Sequence, residues 1–382
     1  MAGLYVHIPF CVKRCIYCDF YSNTDLGRKG EYVSALVREM EMRSDAMKNS
    51  VIETVYFGGG TPSQLCASDF GRLFDAAYRC FSVAAAPEIT LEANPDDLSD
   101  TYVESLKQFP FNRISIGIQS FIDDELRRLN RRHTAREALD AVYRCKDAGF
   151  DNISVDIMYG LPSQTTECWE YNVDKAVELD VQHISAYCLT YEEGAAIYEM
   201  RERGDVQPVD DDLSEVFFRR LVEKLADAGF VHYEISNFAK CSPDYPDGRV
   251  SLHNSSYWNG THYVGLGAAA HSYDGDTRSW NVSSTSDYIR SIIEDDVIPC
   301  EIECLNERMK YNDFIITRLR TMRGVSPKEL EKEFGEARKH EFLEKIHPFL
   351  CSEMLKIQGE YVKVDYKGIF LCDAIIVGLL SV

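Results

Sequence analysis

Three cysteines lie close together near the start of the chain: Cys11, Cys15 and Cys18, spaced Cys-x3-Cys-x2-Cys. Thiolates are soft ligands that favour zinc, copper and iron–sulfur centres. A structural zinc site takes four protein ligands, and here Asp19, Phe20 and Tyr21 follow the third cysteine. Three thiolates on a four-iron cube leave one iron open to a small molecule. A second stretch able to meet a ligand is Gly58-Gly59-Gly60-Thr61-Pro62, which continues the apolar run Val55-Tyr56-Phe57. Consecutive glycines let the backbone approach a ligand closely and turn its N–H and C=O groups toward it.

Positioning these residues requires strands that end in loops, and the chain supplies them at regular intervals. Apolar, β-branched segments at Leu4–Ile8, Thr54–Phe57, Glu88–Glu92, Arg113–Ile118, Ile153–Met158 and His183–Cys188 read as strands. Between them Tyr32, Val33, Leu36, Val37 and Met40 share one helical face, as do Leu65, Phe70, Leu73, Phe74 and Ala77. Ala138, Val142 and Cys145 serve a later helix, with Gly149 as its stop. Strand–helix alternation implies parallel strands with right-handed crossovers. The predicted fold is α/β, a partial (β/α)6 barrel over residues 1–210, with a doubly wound sheet as the alternative that would still place ligands at the strand ends. The cysteine loop and the glycine run both leave C-terminal strand ends, where barrels of this kind gather their chemistry.

The alternation stops near residue 200. Residues 211–300 read as an extension with a helix at Asp212–Ala228, a strand at Val231–Ile235 and the small-residue run Gly265–His271. Residues 301–382 read as a separate unit. Helices near Asp313–Arg320, Pro327–Phe334 and Arg338–Leu350 precede strands at Leu355–Ile357, Tyr361–Asp365 and Gly368–Cys372, an α+β winged-helix-like order. That order alone does not imply DNA binding.

Composition narrows the function class. Lys and Arg total 41 against 62 acidic residues, a formal charge of −21, which argues against general nucleic-acid binding because phosphate contacts need a basic surface. No apolar run reaches membrane-spanning length, and the first residues lack a signal-peptide leader. Thirteen cysteines, an odd number, fit free thiols and a metal site in a reducing cytoplasm better than a disulfide framework.

The cysteine triplet, with Tyr17 before its last member, and Gly58-Gly59-Gly60-Thr61-Pro62 together resemble the radical S-adenosylmethionine superfamily. Tyr5-Val6-His7-Ile8-Pro9-Phe10-Cys11, Gly117-Ile118-Gln119-Ser120-Phe121 and Asp156-Ile157-Met158-Tyr159-Gly160-Leu161-Pro162 narrow it to the coproporphyrinogen III oxidase-like branch. The resemblance implies a 4Fe–4S cluster on Cys11, Cys15 and Cys18 and S-adenosyl-L-methionine on its open iron. It implies cofactor contacts from Tyr5, Tyr17, Gly59, Gly60, Thr61, Glu92, Gln119, Arg131 and Asp156. Arg132 competes with Arg131 for the cofactor carboxylate.

Two activities occur in that branch: radical decarboxylation of coproporphyrinogen III, and haem binding with delivery to an acceptor. The oxidase pattern has a fourth cysteine where this chain has Phe20, and it carries an N-terminal extension before the first strand, which here is reached by Tyr5. His253-Asn254-Ser255-Ser256-Tyr257-Trp258 matches the HNxxYW motif of the haem-chaperone type. The expectation is a haem chaperone with His253 as haem ligand and a haem protein, such as a membrane respiratory enzyme, as acceptor. Haem iron takes an axial imidazole readily, and aromatic neighbours pack on a porphyrin face. His262 and His271 are rival ligands, with Cys241 a further thiolate. Cys300 and Cys304 would share one face if that segment were helical.

Overall fold

In the computed structural model, which describes residues 2–381, all six expected strands form. They are β1 (Ala2–Ile8), β2 (Val51–Gly59), β3 (Ser82–Ala93), β4 (Arg113–Gln119), β5 (Ile153–Tyr159) and β6 (His183–Cys188), paired in parallel in that order. Side chains alternate across each strand. One set, including Leu4, Val6, Ile8, Val55, Phe57, Leu91, Ile116, Val155 and Ile184, is buried in the main apolar core. Helices Lys29–Arg43, Ala67–Cys80, Ala135–Asp147 and Thr166–Glu178 cover that side, and their buried residues include Tyr32, Leu36, Phe70, Leu73, Val142 and Trp169. The opposite set is polar: Thr54, Tyr56, Glu88, Thr90, Glu92, Arg113, Ser115, Ser154, Asp156, His183 and Ser185. It faces the hollow of the curved sheet.

Residues 230–304 extend this sheet at both edges, past the boundary at 300 expected for the middle segment. β7 (Phe230–Glu234) and β8 (Asn237–Lys240) form an antiparallel pair beside β6. β9 (His262–Leu266) lies parallel to β1, and β10 (His271–Tyr273), β11 (Thr277–Asn281) and β12 (Cys300–Cys304) follow antiparallel. The order β12-β11-β10-β9-β1-β2-β3-β4-β5-β6-β8-β7 leaves the barrel open. Phe217, Phe218, Leu221, Tyr288 and Ile292 belong to the same apolar core as the barrel helices.

The small-residue run is explained by crowding around β9. A Cβ at Gly265 would meet the His271 carbonyl oxygen at 2.1 Å, and Gly267 has φ +100° beside the Tyr32 hydroxyl. Buried Glu39 accepts the Gly267 N–H at 2.8 Å, the Asn281 amide at 2.8 Å and the Tyr288 hydroxyl at 2.6 Å. Cys300 and Cys304 lie on β12, so the helical face considered for them does not form.

Residues from Glu307 onward carry their own apolar core, built from Tyr311, Ile315, Leu330, Phe342, Ile346 and Leu379. Helix Glu307–Leu319 is followed by one element, Pro327–Cys351, broken at Gly335 with φ +85°. The two helices read at Pro327–Phe334 and Arg338–Leu350 are its halves. β13 (Leu355–Gln358) and β14 (Tyr361–Val364) form the hairpin. The strand expected at Gly368–Cys372 is instead a 3-10 turn, Tyr366–Leu371, leading into helix Cys372–Leu379. Cys372, Ile375, Ile376 and Leu379 are buried at helical spacing, a period that a short apolar run hides.

Candidate functional site

Cys11, Cys15 and Cys18 are free thiols on the loop leaving β1. The loop is pinned by the segment after helix Asp123–Arg128. Ile16 N–H donates to the Leu129 carbonyl at 3.3 Å, and the Asn130 amide donates to the Arg14 carbonyl at 2.7 Å. Arg131 Nη1 donates to Cys15 Sγ at 3.4 Å. On the other side Thr61 Oγ1, at the end of the glycine run, donates to Cys11 Sγ at 3.2 Å. Burial raises the Cys11 thiol above its ordinary value, and the Thr61 bond opposes it. Cys18 is raised by burial too, with a backbone bond from Phe20 opposing. Phe20 itself stands 70 % exposed.

Asn94, two residues beyond Glu92, links the two sides. Its amide donates to Thr61 Oγ1 at 3.4 Å, and its carbonyl accepts Arg131 Nη2 at 2.8 Å. Arg131 also donates to the Gly117 carbonyl, while its buried Nε has no partner. Arg132 points elsewhere, to Asp96 at 2.5 Å and Asp97 at 2.9 Å. Arg131, and not Arg132, therefore reaches the cysteine loop. Burial works against its charge, but Tyr17 and Cys15 more than compensate and raise its value.

The glycine run lies against β1. A Cβ at Gly59 (φ +107°) would fall 2.4 Å from the His7 ring, and one at Gly60 would fall 2.8 Å from the Pro9 carbonyl carbon. No side chain fits at either place. Glu92 accepts the Gly59 N–H at 3.2 Å and the Tyr56 hydroxyl at 2.7 Å. Burial, reinforced by Asp156, pushes Glu92 up to about 7 despite those bonds. Asp156 is also raised by burial, against the Ser185 and Ser115 hydroxyls; Ser115 Oγ lies 3.3 Å from it. Gln119 ends β4 with φ 70°, a left-handed conformation of the kind that collects at ligand sites. Tyr17 is raised by burial. Tyr5 sits deeper, its hydroxyl 3.2 Å from His7 Nδ1 and its ring stacked on Tyr56 and His253.

These residues fit the expected donor set: three unpaired thiols at one strand end, a buried guanidinium with an open Nε–H, and acceptors on neighbouring strands. Among the described residues no three His, Cys, Asp or Glu side chains converge on a single metal ion. Cysteines that each bind a different iron of a cube have no need to.

His253 lies in a different environment. Helix Leu252–Asn259 enters the lower part of the barrel, and the Leu252 and His253 N–H groups donate to Glu88 at 3.0 and 2.9 Å. Both ring nitrogens are taken, Nδ1 by Thr54 Oγ1 and Nε2 by the Tyr257 hydroxyl, each at 2.8 Å. The ring stacks on Tyr56 at 4.9 Å and the residue is 1 % exposed. Burial, with the field of Arg113, lowers His253 to about 3. The imidazole expected as a haem ligand is enclosed within a hydroxyl-bonded packing layer. Of its rivals, His262 is exposed, His271 is exposed and stacked on Trp280 at 5.9 Å, and Cys241 is half-buried.

Sequence reasoning missed Asn94, Ser115 and Tyr56. The signal for Asn94 was its place two residues after Glu92, on the same side of the chain.

Compared with known proteins, residues 5–176 match the Radical SAM superfamily. The chain is 33 % identical to "Heme chaperone HemW" of Bacillus subtilis, over 88 % of each chain. It is 31 % identical to the protein of that name from Mycobacterium tuberculosis, over 99 % of this chain and 95 % of the relative. Among solved structures it matches the coproporphyrinogen III oxidase HemN of Escherichia coli with a TM-score of 0.85. That match covers 100 % of this chain and 90 % of the other at 21 % identity, and it shows the shared fold.

Proposed function

The chain belongs to the HemW family of the radical SAM superfamily, and from that footing we propose that it is a haem chaperone. It would bind haem and a 4Fe–4S cluster ligated by S-adenosylmethionine, and pass haem to an acceptor haem protein. The observation that carries the reading is similarity to proteins named heme chaperones over most of the chain. The Phe20 side chain at the position of the oxidase's fourth cysteine supports it.

In this reading Cys11, Cys15 and Cys18 hold the cluster. Tyr5, Tyr17, Gly59, Gly60, Thr61, Glu92, Gln119, Arg131 and Asp156 receive the cofactor. A bound cluster, once reduced, would supply the electron for cleavage of S-adenosylmethionine. The protein's own part is positional. Thr61 and Arg131 steady two of the sulfurs, and charge-assisted bonds from a guanidinium suit a carboxylate. Glu92, held by Tyr56 and Gly59, can accept from an ammonium or a ribose hydroxyl. The site takes its place at the C-terminal strand ends. Among the described residues no helix is long and apolar enough to cross a membrane.

The test is anaerobic reconstitution followed by two parallel assays. Cluster absorbance, a haem Soret band and transfer of haem to an apo-acceptor are expected. Conversion of coproporphyrinogen III to protoporphyrinogen IX without haem transfer would reverse the assignment.

A further inference from the structure

The three thiols of the cysteine loop draw their hydrogen bonds from different places. Cys18 takes one from within its own loop, from the Phe20 N–H. Cys11 and Cys15 are served from elsewhere in the barrel. Thr61 Oγ1, at the end of the glycine run, donates to Cys11 Sγ at 3.2 Å, and Arg131 Nη1 donates to Cys15 Sγ at 3.4 Å. Both donors meet on one side chain. The Asn94 amide nitrogen donates to Thr61 Oγ1 at 3.4 Å, and the Asn94 amide oxygen accepts from Arg131 Nη2 at 2.8 Å. One chain of bonds therefore runs from Cys11 through Thr61, Asn94 and Arg131 to Cys15, with Asn94 at its centre.

Asn94 is held independently of the cysteine loop. Its backbone N–H donates to Ser63 Oγ at 3.2 Å, and Ser63 Oγ donates to Asp97 at 2.7 Å. Its backbone carbonyl accepts the Asp97 N–H at 3.1 Å, across the turn Pro95–Asp97. A side chain on a backbone fixed in this way can orient its partners. An amide has a donor end and an acceptor end, and this position uses both. Donation to the Thr61 oxygen polarises that hydroxyl and directs its hydrogen toward Cys11. The amide oxygen is one of two anchors of Arg131 Nη2, the other being the Gly117 carbonyl. Two anchors fix the plane of a guanidinium that one alone would let turn.

We propose that Asn94 is a positioning residue that sets the reduction potential of the cluster through the sulfurs of Cys11 and Cys15; the proposal rests on the reading that these cysteines and Cys18 hold the cluster. Hydrogen bonds to the cysteine sulfurs are among the determinants of an iron–sulfur potential. An N–H or O–H aimed at a sulfur stabilises the more negative, reduced state, so the potential rises with each bond that is made. Asn94 touches neither sulfur and acts by aiming the two groups that do. The step it favours is uptake of one electron from an external low-potential reductant. No bond forms or breaks at Asn94, and no proton moves.

The experiment is a potentiometric series on the full-length, anaerobically reconstituted protein, poised with dithionite and followed by EPR, with resonance Raman of the Fe–S(Cys) stretches as a second readout. Asn94→Ala is expected to keep the wild-type iron content, to shift those stretches, and to disfavour reduction roughly tenfold, a potential about 59 mV more negative for one electron. Thr61→Val alone should give part of that shift. The double variant Thr61→Val, Arg131→Ala should shift at least as far as Asn94→Ala. Adding Asn94→Ala to it should change nothing more, because the groups it aims are gone. A wild-type potential and unmoved stretches in Asn94→Ala would overturn the proposal and leave the cluster assignment intact. An undiminished further shift in the double-variant background would also overturn it, since Asn94 would then act without Thr61 and Arg131. Loss of iron from Asn94→Ala would make it a support of the loop instead of a tuning residue, and so would count against the proposal. Absence of a cluster in reconstituted wild type would overturn both readings.

Discussion

The rim and the floor of the barrel both carry residues of types that do chemistry, and the structure treats them in opposite ways. At the rim, Cys11, Cys15 and Cys18 are unpaired thiols, Arg131 keeps a buried N–H without a partner, and Gln119 holds a left-handed backbone. On the floor, His253 has both nitrogens bonded and Glu88 takes two helix N–H groups. The hydrogen bonding of His253 and Glu88 is closed, although Arg113 Nη1 and Thr90 Oγ1 on the same inner face lack partners. Buried polar groups cost free energy unless paired, so groups left open in a folded rim are the better candidates for ligand contact. Residue type alone does not separate the two regions.

The largest effect that tests this contrast is loss of the cluster. Replacing Cys11, Cys15 and Cys18 together with Ser should abolish bound iron and the cluster absorbance while leaving the apo-protein folded. The thiols make few native bonds, so the apo-protein's stability should change by only about 1 kcal/mol. Full iron incorporation by the triple variant, measured by iron analysis after anaerobic reconstitution, would break the assignment of the rim. Arg131→Ala should retain the cluster and weaken S-adenosylmethionine binding, read by calorimetry.

On the floor the expected effect is on stability. His253→Ala empties a stacked, buried ring site and strands the Thr54 and Tyr257 hydroxyls, a loss of about 4 kcal/mol by analogy with large-to-small core substitutions. The two regions should also differ in pH dependence. The folded value of His253, about 3, lies below its ordinary 6.5. Its contribution is therefore present above pH 6.5 and lost as pH falls toward 3. Glu92 runs the other way: at about 7 against 4.5, its contribution is present below pH 4.5 and lost as pH rises through 7. Urea denaturation across this range should show His253→Ala flattening the acid limb and Glu92→Gln flattening the neutral one. Unaltered limbs in both variants would remove the distinction.

Much of the barrel was legible because its strands alternate between an apolar outer set and a polar inner set, as in Leu4-Tyr5-Val6-His7-Ile8. The helical faces around Tyr32 and Phe70 followed from the same pattern. β9 escaped notice because Gly265 and Gly267 have low strand propensity, and their reason lies in the close approach of His271 and Tyr32. The choice between Arg131 and Arg132 was invisible in sequence, since adjacent residues differ only in direction. So was the enclosure of His253, which depends on Thr54, 199 residues away. Spacing could identify candidate ligands; only packing shows which of them have free atoms.

The smallest effects concern how the floor helix is held at its two ends. Its N-terminus meets the buried Glu88 carboxylate, and its C-terminal carbonyls at Trp258 and Asn259 accept from Arg318 Nη1 at 2.6 Å and Nη2 at 3.1 Å. A carboxylate at the positive end and a guanidinium at the negative end both complement the helix dipole. Glu88→Gln keeps the shape but removes the charge and one acceptor, and should cost about 2 kcal/mol because the site is buried. Arg318→Lys keeps a charge and loses the two-pronged donation, so about 1 kcal/mol is expected. Arg318 belongs to the C-terminal unit, so its variant should loosen that unit's hold on the floor before the barrel itself yields. Hydrogen exchange would then rise first in Leu252–Asn259. Equal exchange across the barrel and this helix would mean that the floor is closed by Glu88 alone.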